Sequence, residues 1–318
     1  MPPLTAITIG TFDSVHLGHA SLIHAAREHV GPSGRVLVAS FDPHPRSILT
    51  PDDIPPRLTT LGQRVELARV HGADEIIRLT PSRELLALTP EQFIESIITQ
   101  HHPTHIVEGQ DFRFGARRAG SINTLDTLSA SLGFTAIAVP PRQVATSDQL
   151  LITASSTAVR WFLERGRVRD ASIVLGRPYS ITGTVSRGRQ MGRRIGFPTT
   201  NLTDIPMMIP ADGVYAGWAT LPDESRHPCA LSFGTNPTFP NAGRSAEAHI
   251  IDWDGPAAGQ PEYDWPITLE ITSWIREQIT FQGVRALVEQ IERDVEVART
   301  MLEHQPSSWQ STPQEIAP

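Results

Sequence analysis

Two groups of residues have the types and spacing to act on phosphate. The first is His16-Leu17-Gly18-His19, which follows an apolar run at 4–9 and opens a helical pattern at 20–30. A helix N-terminus offers free amides and a partial positive charge, which favours an anion. Two histidines three residues apart share one helical face. Their imidazoles can donate to oxygens that gain charge in a transition state. Gly18 between them leaves room for a nucleotide to approach the backbone. The second group runs from Gly183 to Gly196. Glycines at 183, 188, 192 and 196 let backbone amides curl round an anion, and Arg187, Arg189, Arg193 and Arg194 supply charge. Phe197-Pro198-Thr199-Thr200-Asn201 follows at once. In an extended strand Thr199 and Asn201 point to one face. Both are hard oxygen donors, suited to Mg²⁺ shared with phosphate oxygens and water.

Composition narrows the chemistry. All 27 basic residues are arginine, and the 318-residue chain contains no lysine. A Walker A loop and a Schiff-base mechanism both require that amine, so neither operates here. A nucleotide must be handled by arginine, histidine, backbone amides and a metal. The net charge of −7 speaks against a nucleic-acid partner. Cys229 is the only cysteine, which excludes internal disulfides and cysteine-based zinc sites and fits a reducing compartment. No apolar run reaches the roughly 20 residues of a membrane helix, and no secretory pattern is visible at the start. A cytoplasmic location with no membrane partner is therefore expected.

The elements that must position these groups fall into two styles. In the first half, apolar runs at 4–9, 35–41, 75–79, 104–108 and 134–139 alternate with helical patterns at 20–30, 63–70 and 90–100, the last with Thr89 as N-cap. This alternation predicts parallel βαβ units with ligands at the carboxyl ends of the strands. In the second half, strand-like runs at 179–187, 213–220, 228–233, 246–253 and 267–275 are separated by Gly- and Pro-rich turns, which predicts an antiparallel sheet or small barrel. Val284, Leu287, Val288, Ile291, Val295, Ala298 and Leu302 then recur at helical spacing and should form one buried stripe. The tail from Gln305 is rich in Pro, Ser and Gln and is expected to be mobile. The domain boundary is placed near 166–175, giving domains at 1–168 and 169–304.

Eight ordered blocks resemble the bacterial bifunctional riboflavin kinase/FAD synthetase family. In the first half they are Gly10-Thr11-Phe12-Asp13-Ser14-Val15-His16-Leu17-Gly18-His19, Phe41-Asp42-Pro43-His44-Pro45, Gly109-Gln110-Asp111-Phe112-Arg113-Phe114-Gly115 and Ser155-Ser156-Thr157-Ala158-Val159-Arg160. In the second they are Gly196-Phe197-Pro198-Thr199-Thr200-Asn201, Gly213-Val214-Tyr215, Gly234-Thr235-Asn236-Pro237-Thr238-Phe239 and Glu247-Ala248-His249-Ile250-Ile251-Asp252. The resemblance implies a Rossmann-like nucleotidyltransferase domain, then a six-stranded antiparallel β-barrel with a terminal helix. It implies that riboflavin is phosphorylated to FMN and FMN adenylylated to FAD, with ATP and Mg²⁺, and it leaves self-association open.

By the same resemblance His16 and His19 stabilise the α-phosphate, and Glu247 is the base for the ribityl hydroxyl. Gly10, Phe12, Gly18, Ser155, Ser156, Thr157 and Arg160 hold ATP in the first half. Gly183, Gly188, Gly192, Arg193, Gly196 and Pro198 hold it in the second. Asp111, Phe112 and Arg276 lie at the flavin, and Thr199 and Asn201 at the metal. Two alternatives stay open: one head alone retains activity, or the chain binds flavin without turnover. Three positions depart from the family pattern. Ser14 replaces a glycine, and at positive φ it would cost about 1 kcal/mol. Thr200 replaces an alanine. The stretch 253–264 is longer and lacks the Asp-Leu-Tyr-Gly that follows Asp252 in the family.

Overall fold

The computed structural model describes residues 3–188, 190–235, 244–256 and 260–304. Arg189, most of the Gly234–Phe239 block and the tail from Gln305 lie outside them. Packing divides the chain into two compact units. One contains the residues up to Ala145 with Leu150–Ser156, and the other contains Thr146–Gln149 with the chain from Thr157 onward. The division falls before the expected boundary at residue 168.

The first unit is built on a five-stranded parallel sheet: β1 (Thr5–Gly10), β2 (Arg35–Phe41), β3 (Glu75–Leu79), β4 (His105–Gly109) and β5 (Thr135–Val139), in the order β3-β2-β1-β4-β5. β1 is buried from Thr5 to Ile9, as a central parallel strand with both faces covered must be. Ile7 and Ile9 pack into one apolar cluster with Ile94, Ile106 and Leu125. Ala6 packs into another with Ile23, Val38 and Val107. Helices α1 (Leu17–Val30), α2 (Leu61–Val70), α3 (Pro90–His101) and α4 (Ile122–Leu132) cover the sheet edges and faces. Thr89 caps α3 through a reciprocal box with Gln92 and sets Pro90 at the first helical position. The chain moves outward from β1 to β2 and β3, then returns to the other side of β1 as β4. The β1/β4 seam is therefore the switch point, where such sheets bind ligands.

The second unit carries α5 (Ser156–Leu163) from Thr157 onward, α6 (Val168–Leu175) and a closed antiparallel barrel of β6 (Tyr179–Ser186), β7 (Thr200–Thr203), β8 (Gly213–Thr220), β9 (Arg226–Thr235), β10 (Arg244–Ile250) and β11 (Pro266–Arg276), in the order β6-β7-β10-β9-β8-β11. Closure leaves no open edge. Helix α7 (Val284–Glu303) lays Ala298 and Leu302 on Ala216 and Ile251 outside the barrel.

Two expectations need correction. The strand expected at 246–253 ends at Ile250, because Asp252 takes a left-handed φ of 56° and turns Trp253 out of the sheet. The stripe on α7 does not start at Val284, which is 50 % exposed. Asp294, not an apolar residue, fills its centre because Arg276 neutralises it there.

Candidate active sites

In the first unit the His16 ring is itself the N-cap of α1. Its Nδ1 accepts from the amides of Gly18 and His19 at 3.1 and 3.3 Å. A ring nitrogen that accepts carries no proton, so Nε2 holds it and is the donor. His19 stacks on His16 with centroids 3.7 Å apart, and Phe12 follows at 4.6 Å from His19. Gly18 is needed for packing: a Cβ there would lie 3.0 Å from the His16 ring and from the Ala154 carbonyl. Ser156 Oγ donates to the Asp13 carbonyl at 2.6 Å, fastening the start of α5 to the histidine loop. Thr157 and Arg160 lie further along α5, in the second unit.

The loop from β1 to α1 is strained. Phe12, Ser14 and Val15 have φ of 46°, 84° and 41°, a left-handed conformation that costs about 1–3 kcal/mol for each such residue and persists only where the surroundings enforce it. Asp13 supplies the enforcement. Its carboxylate accepts from the amides of Leu58 and Thr59 and from the Thr59 hydroxyl, at 2.9 to 3.1 Å. Arg64 of α2 lies beneath with its side chain 4 % exposed. It donates to the carbonyls of Thr11 and Phe41 at 3.1 and 3.0 Å and faces Asp13 at 3.5 Å and Asp42 at 3.7 Å. One guanidinium thus ties the ends of β1 and β2 to the segment before α2. Sequence reasoning missed this residue. Its signal was an arginine on the inner face of a helix otherwise read as ordinary. On the other side of the switch point, Asp111 and Phe112 follow β4. Phe112 stacks on Phe114 with centroids 5.1 Å apart, and Asp111 is exposed.

In the second unit, antiparallel pairing sets Asn201 of β7 opposite Glu247 of β10, and Ser186 and Ser232 extend that row on the flanking strands. Directly paired residues share a face. The Glu247 carboxylate accepts from the Thr199 hydroxyl at 3.3 Å and from the Ser245 hydroxyl at 3.0 Å. His249, two residues on from Glu247, donates through Nδ1 to the Pro198 carbonyl at 2.8 Å and so binds the Pro198–Asn201 segment to β10. A Cβ on Gly188 would come within 2.2 Å of the Asn201 amide, and one on Gly192 within 2.2 Å of the Phe197 carbonyl. These two glycines let the loop close over the Thr-x-Asn segment. Gly196 instead supplies a φ of 90°. Gly183 lies within β6, against the Thr203 carbonyl.

A cavity of about 330 Å³ opens beside this row, lined by Gly188, Gln190, Arg193, Pro198, Thr199 and Asn201 on one side and by Trp253, Asp254, Tyr263 and Trp265 on another. Gly183, Gly192 and Gly196 do not line it. Within the stretch conspicuous in the sequence only as a departure, residues 253–256, 262 and 263 therefore build a wall of the pocket. Gln190 donates to the Tyr263 hydroxyl at 2.8 Å, and Arg193 pairs with Glu262, holding that carboxyl below its ordinary range.

Thr199 and Asn201 suit a hard divalent cation, since the Thr199 hydroxyl keeps its lone pairs while its proton goes to Glu247. Among the described residues no cluster of three His, Cys, Asp or Glu side chains is placed to hold a metal, so a cation here would complete its shell with phosphate oxygens and water. Arg276 forks onto Asp294 at 2.7 to 3.0 Å and donates to the Glu277 carbonyl, locking β11 to α7.

The two units match two families in turn. The FAD synthetase model covers residues 2–153 and the riboflavin kinase model residues 175–302. The chain is 32 % identical over 303 residues to the bifunctional riboflavin kinase/FMN adenylyltransferase of Escherichia coli strain K12, spanning 92 % of this chain and 91 % of that one. It is 32 % identical over 301 residues to the protein of the same name from Bacillus subtilis strain 168, with the same coverage. A solved structure from Streptococcus pneumoniae, named a macrolide-efflux protein, is similar with a TM-score of 0.82 and 28 % identity, covering 94 % of this chain and 95 % of that one. Among the described residues of this chain no helix is long and apolar enough to cross a membrane. With a histidine-capped helix start in one unit, a Thr-x-Asn row facing a glutamate in the other, and relatives matched across both, the chain belongs to the bifunctional riboflavin kinase/FMN adenylyltransferase family.

Proposed function

We propose that the second unit phosphorylates riboflavin to FMN and the first adenylylates FMN to FAD, each with ATP. The observation that carries the reading is the register placing Glu247 opposite Asn201 with the Thr199 hydroxyl on its carboxylate. It sets a proton acceptor beside oxygen donors for a phosphate-bound cation. In the kinase step the ribityl 5′-oxygen attacks the γ-phosphorus, its proton passes to the Glu247 carboxylate, and ADP leaves. Phosphoryl transfer is mostly positioning and charge neutralisation. Gly188, Arg193 and Pro198 hold the nucleotide in the cavity, and Trp253 and Tyr263 offer it aromatic faces. Mg²⁺ at Thr199 and Asn201 would neutralise the terminal phosphates.

In the adenylyl step an oxygen of the FMN phosphate attacks the α-phosphorus, the bond to the β-phosphate bridge breaks, and pyrophosphate leaves. His16 donates through Nε2 to the α-phosphate oxygens, with His19 stacked beside it. Ser155, Ser156, Thr157 and Arg160 hold the ATP phosphates, and Asp111 and Phe112 the flavin. Arg276 binds the flavin of the kinase. The two activities correspond to domains at 1–168 and 169–304. A cytoplasmic location fits the lone, buried Cys229. Incubation of the purified chain with riboflavin, ATP and Mg²⁺, with flavins resolved by chromatography, tests the reading: FMN and then FAD should appear, and absence of both overturns it.

A further inference from the structure

The β1/β4 seam opens early. β1 pairs with β2 along its whole length, to Gly10 opposite Ser40, and β4 pairs with β5 to Gly109 opposite Val139. Between β1 and β4 the register covers only Ala6 opposite His105 and Ile7 opposite Ile106. Beyond that point the two strand ends diverge, and the Ile9 amide has lost its ladder partner. A buried amide must be satisfied, and here the Glu108 side chain reaches across the gap: Ile9 N donates to Glu108 Oε1 at 2.6 Å. Glu108 is 1 % exposed. Each strand end then carries a site loop by a close glycine contact. A Cβ on Gly10 would lie 3.2 Å from the Phe12 ring, which lies tilted against His19, and one on Gly109 would lie 2.9 Å from Asp111 Oδ1.

We propose that Glu108 is a positioning residue of the adenylyl-transfer site, whose side-chain length sets the spacing between the strand end bearing the histidine pair and the strand end bearing Asp111. The inference rests on the reading of the first unit as an adenylyltransferase. Two substrates must meet there, ATP at the histidines and FMN beyond β4, and a displacement of about 1 Å in such a site lowers the rate on the order of a hundredfold. What matters is reach rather than charge. Burial, with Asp111 adding to it against the opposing Ile9 amide, holds the Glu108 carboxyl well above its ordinary range. A neutral amide of equal length would therefore serve.

The test compares Glu108→Gln with Glu108→Asp in the full chain. Gln keeps the length and an acceptor oxygen, while Asp keeps the carboxyl and is one methylene short. FAD formation from supplied FMN and ATP should stay within about threefold of wild type in Glu108→Gln, and its kcat should fall by about tenfold or more in Glu108→Asp. KM for ATP should change little, and FMN formation from riboflavin should be unchanged in both. Equal activity of the two variants, in either direction, overturns the inference, as does loss of FMN formation along with FAD formation. If the wild-type chain itself makes no FAD from FMN, the adenylyltransferase reading fails instead.

Discussion

The loop carrying His16 and the loop carrying Arg193 are both glycine-punctuated, yet they are held in different ways. The histidine loop contains three left-handed non-glycine residues and is clamped by the buried Asp13 and Arg64. The arginine loop is closed by glycine contacts and by pairs at the surface: Arg193 and Glu262 have 62 % and 46 % of their side-chain area exposed. Surface ion pairs contribute little to stability, whereas removing one partner of a buried pair is costly. The first site is thus clamped into its unit's core, whereas the second sets Asn201 and Glu247 on paired barrel strands under a loop held by exposed pairs. Changes to catalytic groups in the second unit should therefore act on chemistry alone. Changes beneath the first site should act on folding and chemistry together.

The largest effect expected is on chemistry in the second unit. Glu247→Gln removes the proton acceptor while keeping shape and hydrogen bonding. FMN formation should fall by about 10³-fold, with FAD formation from supplied FMN and the unfolding midpoint unchanged. A parallel loss of FAD formation would break the comparison, because the two sites would then not be independent.

Arg64→Met tests the other side. It removes the buried cation facing Asp13 and the donor to the Thr11 and Phe41 carbonyls, while Asp42 keeps Arg57 and Arg78, and should destabilise the first unit by about 3–5 kcal/mol. In denaturant titration FAD formation should be lost at lower urea than FMN formation. Coincident loss of both activities would show that the clamp serves the whole chain.

His16→Asn comes next. Asn is a strong helix N-cap, so α1 should persist, but it has no counterpart of Nε2. FAD formation should fall by about 10²-fold with a near-native unfolding curve. His16→Ala should show the same loss of rate plus about 1 kcal/mol of lost stability from the missing cap. If His16→Asn retains activity, the Nε2 donor assigned by the cap geometry is not the group that acts.

These contrasts also mark what the sequence could show. The parallel sheet was legible because its central strands, Thr5–Gly10 and Arg35–Phe41, carry largely apolar runs that are buried along most of their length. The eight blocks carried the family because their residue types recur at fixed spacing along the chain. Arg64 and Glu108 were not legible. Their roles depend on which carbonyl or amide lies across a gap between distant segments, such as Ile9 N for Glu108, 99 residues away. The wall at Trp253 and Tyr263 was hidden for a related reason: Asp252 turns the chain by a backbone conformation that no periodicity reveals. Asp294 was missed because a helical stripe is sought among apolar residues, and a carboxylate enters one only when an arginine such as Arg276 is aimed at it.

The smallest effect sharpens the account of strain. Ser14 is fully buried with φ of 84°, and its amide donates to the Thr59 hydroxyl at 2.9 Å. A left-handed conformation costs an L-residue about 1–2 kcal/mol, while glycine loses about 0.5–1 kcal/mol more backbone entropy on folding. Ser14→Gly should therefore stabilise the first unit by about 0.5–1 kcal/mol, and Ser14→Ala, which keeps the Cβ, should not. Both follow from urea midpoints of FAD formation, with FMN formation as the internal reference. If glycine instead lowers the midpoint, interactions of the serine side chain outweigh the torsional cost. The loop would then be held from within as well as by Asp13 and Arg64, and the contrast with the arginine loop would widen.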